Sequence, residues 1–369
     1  MQNKRGISAV VATVLIILIT VAAVAIIWAA IIPMIKTNLE LGTACLEADI
    51  LIDAGSGYTC YDAENKIVAV QVKKGANEVN ISKIEFLLDS EGTSRKITKL
   101  FDLSSNIGKT FYLIADEDTE GVSIAPVIKI SNKEEVCDIS SNIKLSKCSL
   151  NEDVIKKIFS EQGIVGFWRF EDDAEDFAGD NDGTIYGNPV FIEGRNDMGK
   201  ALSFDGVVDY VDCGNEDSLD ITNEITISAW VKPEGTIPPE TMIVARVNAT
   251  GINTDWRFMA NVYQDNNGVN WGFRVRTSAS ESVANSELTS GSWYHLVVTY
   301  DRATVRFYLN GVADGTDSQT SALGTSHPVQ IARGVGYAQK YFNGTIDEVM
   351  IYNRALSGEE VEELYESQK

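Results

Sequence analysis

The side chains in this sequence that could do chemistry are mainly carboxylates, with 53 Asp and Glu against 31 Lys and Arg. The densest run is Glu171-Asp172-Asp173-Ala174-Glu175-Asp176, which continues to Asp182, and Asp347 stands near the C-terminus. Hard oxygens gathered on turns suit a calcium ion, which takes roughly six to eight of them. A pair of carboxylates about 5 Å apart would instead suit a retaining glycosidase, and Glu171, Asp173 and Glu175 offer alternate acids. A strand carrying such a pair must turn its intervening positions into a core. Position 172 is another acid, whose unpaired burial is costly, so the run is expected to be a solvated acidic loop. His295 and His327 are the only histidines, and there is no Gly-x-Ser-x-Gly elbow, Cys/His pair or phosphate loop. The expected function is therefore binding, and the protein is not expected to be an enzyme.

A formal charge of −22 with no dense basic patch argues against nucleic acid as a partner. With 369 residues, 44% of them apolar, the chain is long enough for two globular units plus an anchor. The anchor is the strongest positional signal. From Ile7 to Ile35 no side chain is charged, a run of 29 residues, longer than the roughly 20 that cross a bilayer as a helix. Lys4 and Arg5 precede it. The positive-inside rule then keeps the N-terminus in the cytoplasm and places everything after Lys36 outside. The expected localisation is the cell membrane, single-pass, with the C-terminal domains extracellular.

Lys4-Arg5-Gly6 followed by Ile7-Ser8-Ala9-Val10-Val11 resembles the class III signal of archaeal type IV pilins and archaellins. The resemblance implies that a prepilin-type peptidase cuts between Gly6 and Ile7. Residues 1–6 are then a leader, and the helix over 7–35 is retained as a membrane anchor or as the axial core of a filament with other pilins. Bacterial type IV pilins carry Glu where Val11 stands here, so the bacterial version does not fit.

Over 40–158, period-two runs such as Ile67-Val68-Ala69-Val70-Gln71-Val72 and Ile81-Ser82-Lys83-Ile84-Glu85-Phe86 are separated by polar turns. They predict a small β-sandwich, consistent with the compact β-domain that archaeal pilins place after the helix. Cys45, Cys60, Cys137 and Cys148 fall within or beside this outward segment and lack C-x-x-C spacing, so disulfides are expected. Cys45–Cys60 and Cys137–Cys148 are the shortest loops, but three connectivities remain open. Cys213 stands alone and is expected in a core. Asn80, Asn248 and Asn343 each open a glycosylation sequon. Asn151-Glu152-Asp153 before Val154-Ile155 and Ile158-Phe159 predicts a short capped helix as a joint, with the domain boundary near 160.

From 160 to 369, strand-like segments rich in aromatic and β-branched residues predict a two-sheet jelly roll. Examples are Ile225–Val231, Trp293–Tyr300 and Thr304–Leu309, the last running into the hairpin dipeptide Asn310-Gly311. The series Gly166-Phe167-Trp168-Arg169-Phe170-Glu171, Gly183-Thr184-Ile185-Tyr186-Gly187, Lys200-Ala201-Leu202-Ser203-Phe204-Asp205-Gly206 and Asp209-Tyr210-Val211 is followed by Asn343-Gly344-Thr345-Ile346-Asp347-Glu348-Val349 through Leu356-Ser357. In order and spacing it resembles a LamG-like jelly roll of the concanavalin A superfamily, over essentially all of 164–366. Members of that superfamily bind glycans or proteins, often with calcium at the sandwich rim. The resemblance implies that first and last strands are neighbours, so that Asp176, Asp347 and Glu171 approach one ion. It also implies that Trp256, Tyr263, Trp271 and Tyr337, lying between the family's core strands, are candidates to stack on a sugar. Trp168, Trp230 and Trp293 are expected to pack. Some hydrolases of the superfamily place catalytic acids as E-x-D-x-E, which the acidic run matches only formally. The fold expected is mainly β: an N-terminal transmembrane helix, a pilin-like β-sandwich and a jelly roll. Its partners are the membrane and a glycan or protein ligand on a surface.

Overall fold

The computed structural model describes residues 18, 19, 21, 28, 29, 32–55, 57–77, 79–90, 93–101, 108–115, 118–130, 133–195, 199–238, 240–247, 254–261, 270–275, 282–333 and 341–368. The chain divides into two compact units, Met1–Ser149 and Leu150–Lys369. Most of the apolar run 7–35, with Gly6 and Ile7, lies outside the described residues. Among the described residues no helix is long and apolar enough to cross a membrane.

In the first unit, helix α1 (Ile32–Glu47) leads into a two-sheet sandwich. One sheet is centred on Ile67–Lys74, with Gly108–Ile114 along one side and Ile50–Ile52 and Cys60–Asp62 along the other. Lys147–Cys148 adds in parallel to Cys60–Asp62. The other sheet runs Thr93–Leu100, Ile81–Ser90, Thr119–Ile130, and then Lys133–Val136 and Ser141–Lys144. Alternation explains the core: Ile84, Phe86 and Leu88 are buried while Lys83, Glu85 and Leu87 are half-buried, and Val68, Val70, Val122 and Ile124 share that core. Leu41 of α1 is buried in the same core, whereas Ile32, Met34, Ile35 and Leu39 are exposed.

The disulfides join Cys45 to Cys137 and Cys60 to Cys148, so neither of the two shortest loops forms. Sheet neighbours prevail over chain neighbours. Cys148 lies beside Asp62 in the parallel pair that also holds Cys60, and Cys45 closes the last turn of α1 against the segment after Lys133–Val136.

The second unit begins with α2 (Glu152–Glu161). The Asn151 side chain caps it by accepting from the Val154 amide at 2.8 Å. Ile155, Ile158 and Phe159 are buried, and the Phe159 ring meets Phe167 and Phe177 edge-on. The helix expected as a joint thus belongs to the second unit. Among the described residues that unit has two packed sheets. One runs Val190–Glu193, Lys200–Asp205, Asn343–Tyr352, Ile225–Pro233, Tyr294–Tyr300, Thr304–Leu309, Val312–Ser318, with Ile164–Trp168 also pairing onto Asn343–Tyr352. The first and last strands are neighbours, Phe167 opposite Met350. The other runs Thr184–Tyr186, Tyr210–Asp212, Val329–Ile331, Thr241–Val247, Thr254–Asn261, Asn270–Val275, Ser282–Glu287. Asn310 and Gly311 both adopt positive φ, 50° and 79°, the two-residue turn whose twist matches its strands. Helix α3 (Gly358–Gln368) closes the chain, with Val361 and Leu364 buried and Tyr365 stacked on Trp230.

Candidate binding face

Trp256 and Trp271, expected on a sugar-binding face, are 1% and 0% exposed. Both lie on regular strands, at the inward parity that puts Phe258 and Phe273 into the same core. The Trp271 indole N–H donates to Asp314 at 3.0 Å, and its ring meets Phe258 and Phe307 edge-on. They pack the sandwich and cannot offer a ring face to a ligand. Trp271→Ala is expected to cost about 3–5 kcal/mol of stability. A thermal melt should show the loss, with ligand affinity unchanged in the fraction that stays folded. Tyr263 and Tyr337 lie outside the described residues, as does Asn248. Asn80 is exposed just before Ile81–Ser90, whereas the Asn343 side-chain amide opens the last strand and donates to the Glu234 carbonyl at 3.0 Å.

The aromatic surface lies elsewhere, at the edge of the seven-stranded sheet. Tyr186 and Tyr210 stand directly opposite each other across the pair Thr184–Tyr186 and Tyr210–Asp212. Their rings stack at 4.6 Å with 3° between planes, and Tyr186 is 44% exposed. The buried Tyr341 ring lies 6.2 Å from Tyr210. The Arg333 guanidinium lies over the Tyr210 ring at 4.6 Å. A short relay positions it: Gln330 accepts from Arg333 at 3.1 Å and donates to Asp212 at 2.7 Å. Because Val211 and Ile331 fill the core, their neighbours Tyr210, Asp212 and Gln330 turn to the outer face. Burial, and the negative charge of Asp212, hold the Tyr210 phenol above its usual pKa against the opposing pull of Arg333. The signal was present in the sequence as two tyrosines in neighbouring strand motifs, but the strands are three residues long, too short for periodicity to give their facing.

Arg246 holds the strands of this face in place. It is fully buried. Its Nε donates to the His327 carbonyl at 2.6 Å, and its Nη2 to Asp220 at 2.7 Å and the Thr325 carbonyl at 3.0 Å. The Leu219 carbonyl and the Asn215 side chain complete the set. Asp255, also buried, lies 3.9 Å from Nε and accepts from the Ser326 and His327 amides. One guanidinium thereby ties the segments that follow Tyr210–Asp212 and precede Val329–Ile331. A charged residue inside Ile243-Val244-Ala245-Arg246-Val247 was its only trace in the sequence.

The acids divide. Asp176 is buried, and its oxygens accept from the Phe167, Ala178 and Asn181 amides and from the Asn181 side chain. Four N–H donors fill roughly the four lone-pair positions that a carboxylate has, so Asp176 shapes its turn and is not available to a metal. Glu171 accepts from the Lys200 amide at 2.8 Å. Asp347 is buried, and burial together with the charges of Glu348 and Glu171 pushes its carboxyl well above the usual range. The nearby cations are Arg169, 3.9 Å from both Glu171 and Glu348, and Arg195. Among the described residues no group of three or more His, Cys, Asp or Glu side chains is placed to hold a metal ion. The expected set of Glu171, Asp176 and Asp347 does not fit one calcium ion. Glu171 to Asp173 forms a bend and not a strand, as an acidic loop should.

His295 lies fully buried on the other sheet, 2.8 Å from the Ser228 hydroxyl, with Trp230 at 5.0 Å and Tyr365 at 5.8 Å. Burial, and then the positive charge of Arg195, push its pKa down to about 3. The unfolded chain takes up a proton near pH 6.5 that the folded chain refuses, so this contribution is complete above about pH 6.5 and is lost progressively down to about pH 3. Asp347, with its raised pKa, acts in the opposite sense. The check is therefore a comparison: His295→Gln should lose less stability than the wild type between pH 6.5 and 4, measured by denaturant midpoints.

A family model described as the Concanavalin A-like lectin/glucanases superfamily matches residues 204–362. No curated protein matches the chain. Solved structures do. Domain 4 of AbnA, a GH43 extracellular arabinanase from Geobacillus stearothermophilus in complex with arabinotriose, is 23% identical, with 55% of this chain and 98% of that chain covered and a TM-score of 0.45. The binding domain of Paraclostridial Mosquitocidal Protein 1 is 19% identical, with 56% and 52% covered and a TM-score of 0.45. The binding domain of Botulinum neurotoxin DC in complex with rat synaptotagmin II is 14% identical over the same shares, at 0.45. This chain thus spans about half the length of those two toxin domains. Residues 204–362 carry a concanavalin A-like jelly roll.

Proposed function

We propose that the protein is a membrane-anchored surface binding protein whose second unit presents a carbohydrate-binding face at Tyr186, Tyr210 and Arg333. It acts as an adhesin or minor type IV pilin. The observation that carries this reading is the Tyr186–Tyr210 stack, with Tyr186 exposed and Tyr210 half-buried, beside a positioned guanidinium. A sugar ring offers C–H faces to aromatic area and hydroxyls to polar tips, and this row supplies both. The anchor rests on the uncharged run Ile7–Ile35. The two disulfides support an oxidising, extracellular setting for the first unit.

A second reading has its own support. The exposed Ile32, Met34, Ile35 and Leu39 of α1 would suit packing against like helices in a filament, with the jelly roll serving protein contacts. A glycan-array screen of the full chain in detergent, run with calcium and with chelator, separates them. Binding that Tyr186→Ala abolishes, at unchanged melting temperature, is expected. No binding in either condition would leave the structural subunit as the reading to pursue, and a calcium requirement would return Glu171 and Asp347 as candidate ligands.

A further inference from the structure

Resting on the carbohydrate-binding reading of the Tyr186–Tyr210 face, we propose that this face favours sugars that carry a methyl group, as deoxy, O-methyl and N-acetyl sugars do, with Val207 and Val208 as the residues that receive it.

The turn Asp205–Asp209 crosses the edge of the sandwich, from Lys200–Asp205 of one sheet to Tyr210–Asp212 of the other. Its shape is fixed by residues other than the valines. One Asp205 oxygen accepts from the amides of Val207, Val208 and Asp209, at 2.7, 3.0 and 3.3 Å. Gly206 supplies a φ of 73°. Asp209 is buried and gives one oxygen to the Asp205 amide at 3.1 Å and the other to the Asn188 amide at 2.7 Å. Turns of this kind favour Gly, Asn, Asp and Ser, whereas valine favours strands. Yet two successive valines are held out in the solvent, 62% and 49% exposed.

Their place gives them a use. Tyr186 and Tyr210 are the last pair at one end of their two strands. The bond from Asn188 to Asp209 ties the segment just after Tyr186 to the residue just before Tyr210. The valines therefore stand at the strand end where the tyrosines stack. A sugar resting a C–H face on Tyr186 extends its rim toward this turn. A hydroxyl brought against valine methyls gives up water without gaining a partner, while a methyl group there buries apolar area. A second copy of the chain, or an anionic bilayer, would instead bring like charge toward a chain of −22. A small neutral ligand avoids that repulsion.

The test measures binding to the full chain in lipid nanodiscs, since detergent tails would compete for apolar surface. Probes come in matched pairs: oligosaccharides ending in a 6-deoxyhexose beside the parent hexose, and O-methyl and N-acetyl sugars beside their hydroxyl counterparts. In at least one pair the methyl-bearing sugar should bind about fourfold more tightly or better, the worth of one buried methylene. The pair that shows it identifies the source of the methyl. Val207→Ser with Val208→Ser should erase the difference and keep the weaker binding, while Tyr186→Ala should lose both. Val312→Ser, at an equally exposed valine on another strand, should change nothing. Equal binding within every pair, still lost in Tyr186→Ala, would overturn the methyl selection and leave the tyrosine platform standing. A preference that survives the double substitution would overturn the role of the valines. Self-association of the chain that the double substitution abolishes would assign them to an interface between copies and overturn it as well. Binding of no sugar at all would overturn the carbohydrate reading and this inference with it. Thermal melts show whether each variant is folded.

Discussion

Replacing Arg246 with Met is expected to lower the stability of the second unit by about 3–5 kcal/mol, the usual cost of removing one partner from a buried ionic set. Met keeps much of the side-chain volume and removes every N–H. Asp255 would remain buried beside it, and the carbonyls of Leu219, Thr325 and His327 would lose their shared donor. Lysine should rescue little, because a point charge cannot meet five acceptors spread around a planar fork. The check is urea denaturation of both variants. Since Arg246 ties the segments flanking Tyr210–Asp212 and Val329–Ile331, glycan binding should weaken before global unfolding. A loss of under about 1 kcal/mol would mean that water replaces the network without penalty.

Reduction of the two disulfides is expected to unfold the first unit and spare the second. The bridges close separations of 92 and 88 residues. In the chain-entropy account each contributes about 4–5 kcal/mol, comparable with the whole stability of an ordinary domain, about 5–15 kcal/mol. The second unit has only the buried, unbonded Cys213, so its melting serves as an internal control. Calorimetry with and without reductant should show one transition lost and one unmoved. A first transition shifted by only a few degrees would show that the sandwich core carries the fold without its cross-links. Cys60→Ser with Cys148→Ser isolates one bridge.

Much of the fold was legible because alternation is a local signal. Ile81–Ser90, Ile225–Pro233 and Tyr294–Tyr300 appear where period-two runs placed them, and Asn310-Gly311 turns the hairpin it announced. What the local pattern could not give was partnership across distance. Cys60 meets Cys148 because two strands lie side by side in a sheet, a fact no spacing along the chain contains. Trp256 and Trp271 were expected between the family's core strands, yet each lies on a strand and keeps inward parity with an apolar residue two places on. Asp176 and Asp347 were grouped by the adjacency of first and last strands, which holds. The grouping of their carboxylates does not, since Asp176 turns into its own loop. The Tyr186–Tyr210 stack was hidden for the converse reason: two three-residue strands are too brief to declare a facing, and only their register makes the rings neighbours.

The disulfide topology also sets how the first unit answers a pull. Tension entering along α1 reaches Cys45 and passes across the bridge to Cys137, bypassing everything between. From there to Cys148, where the chain leaves for the second unit, about 11 residues can pay out, at most roughly 40 Å when fully stretched. Without the bridges the same stretch would lengthen to roughly 350 Å. A first unit so built transmits force from α1 to Cys148 and yields almost no slack, even if its sandwich comes apart.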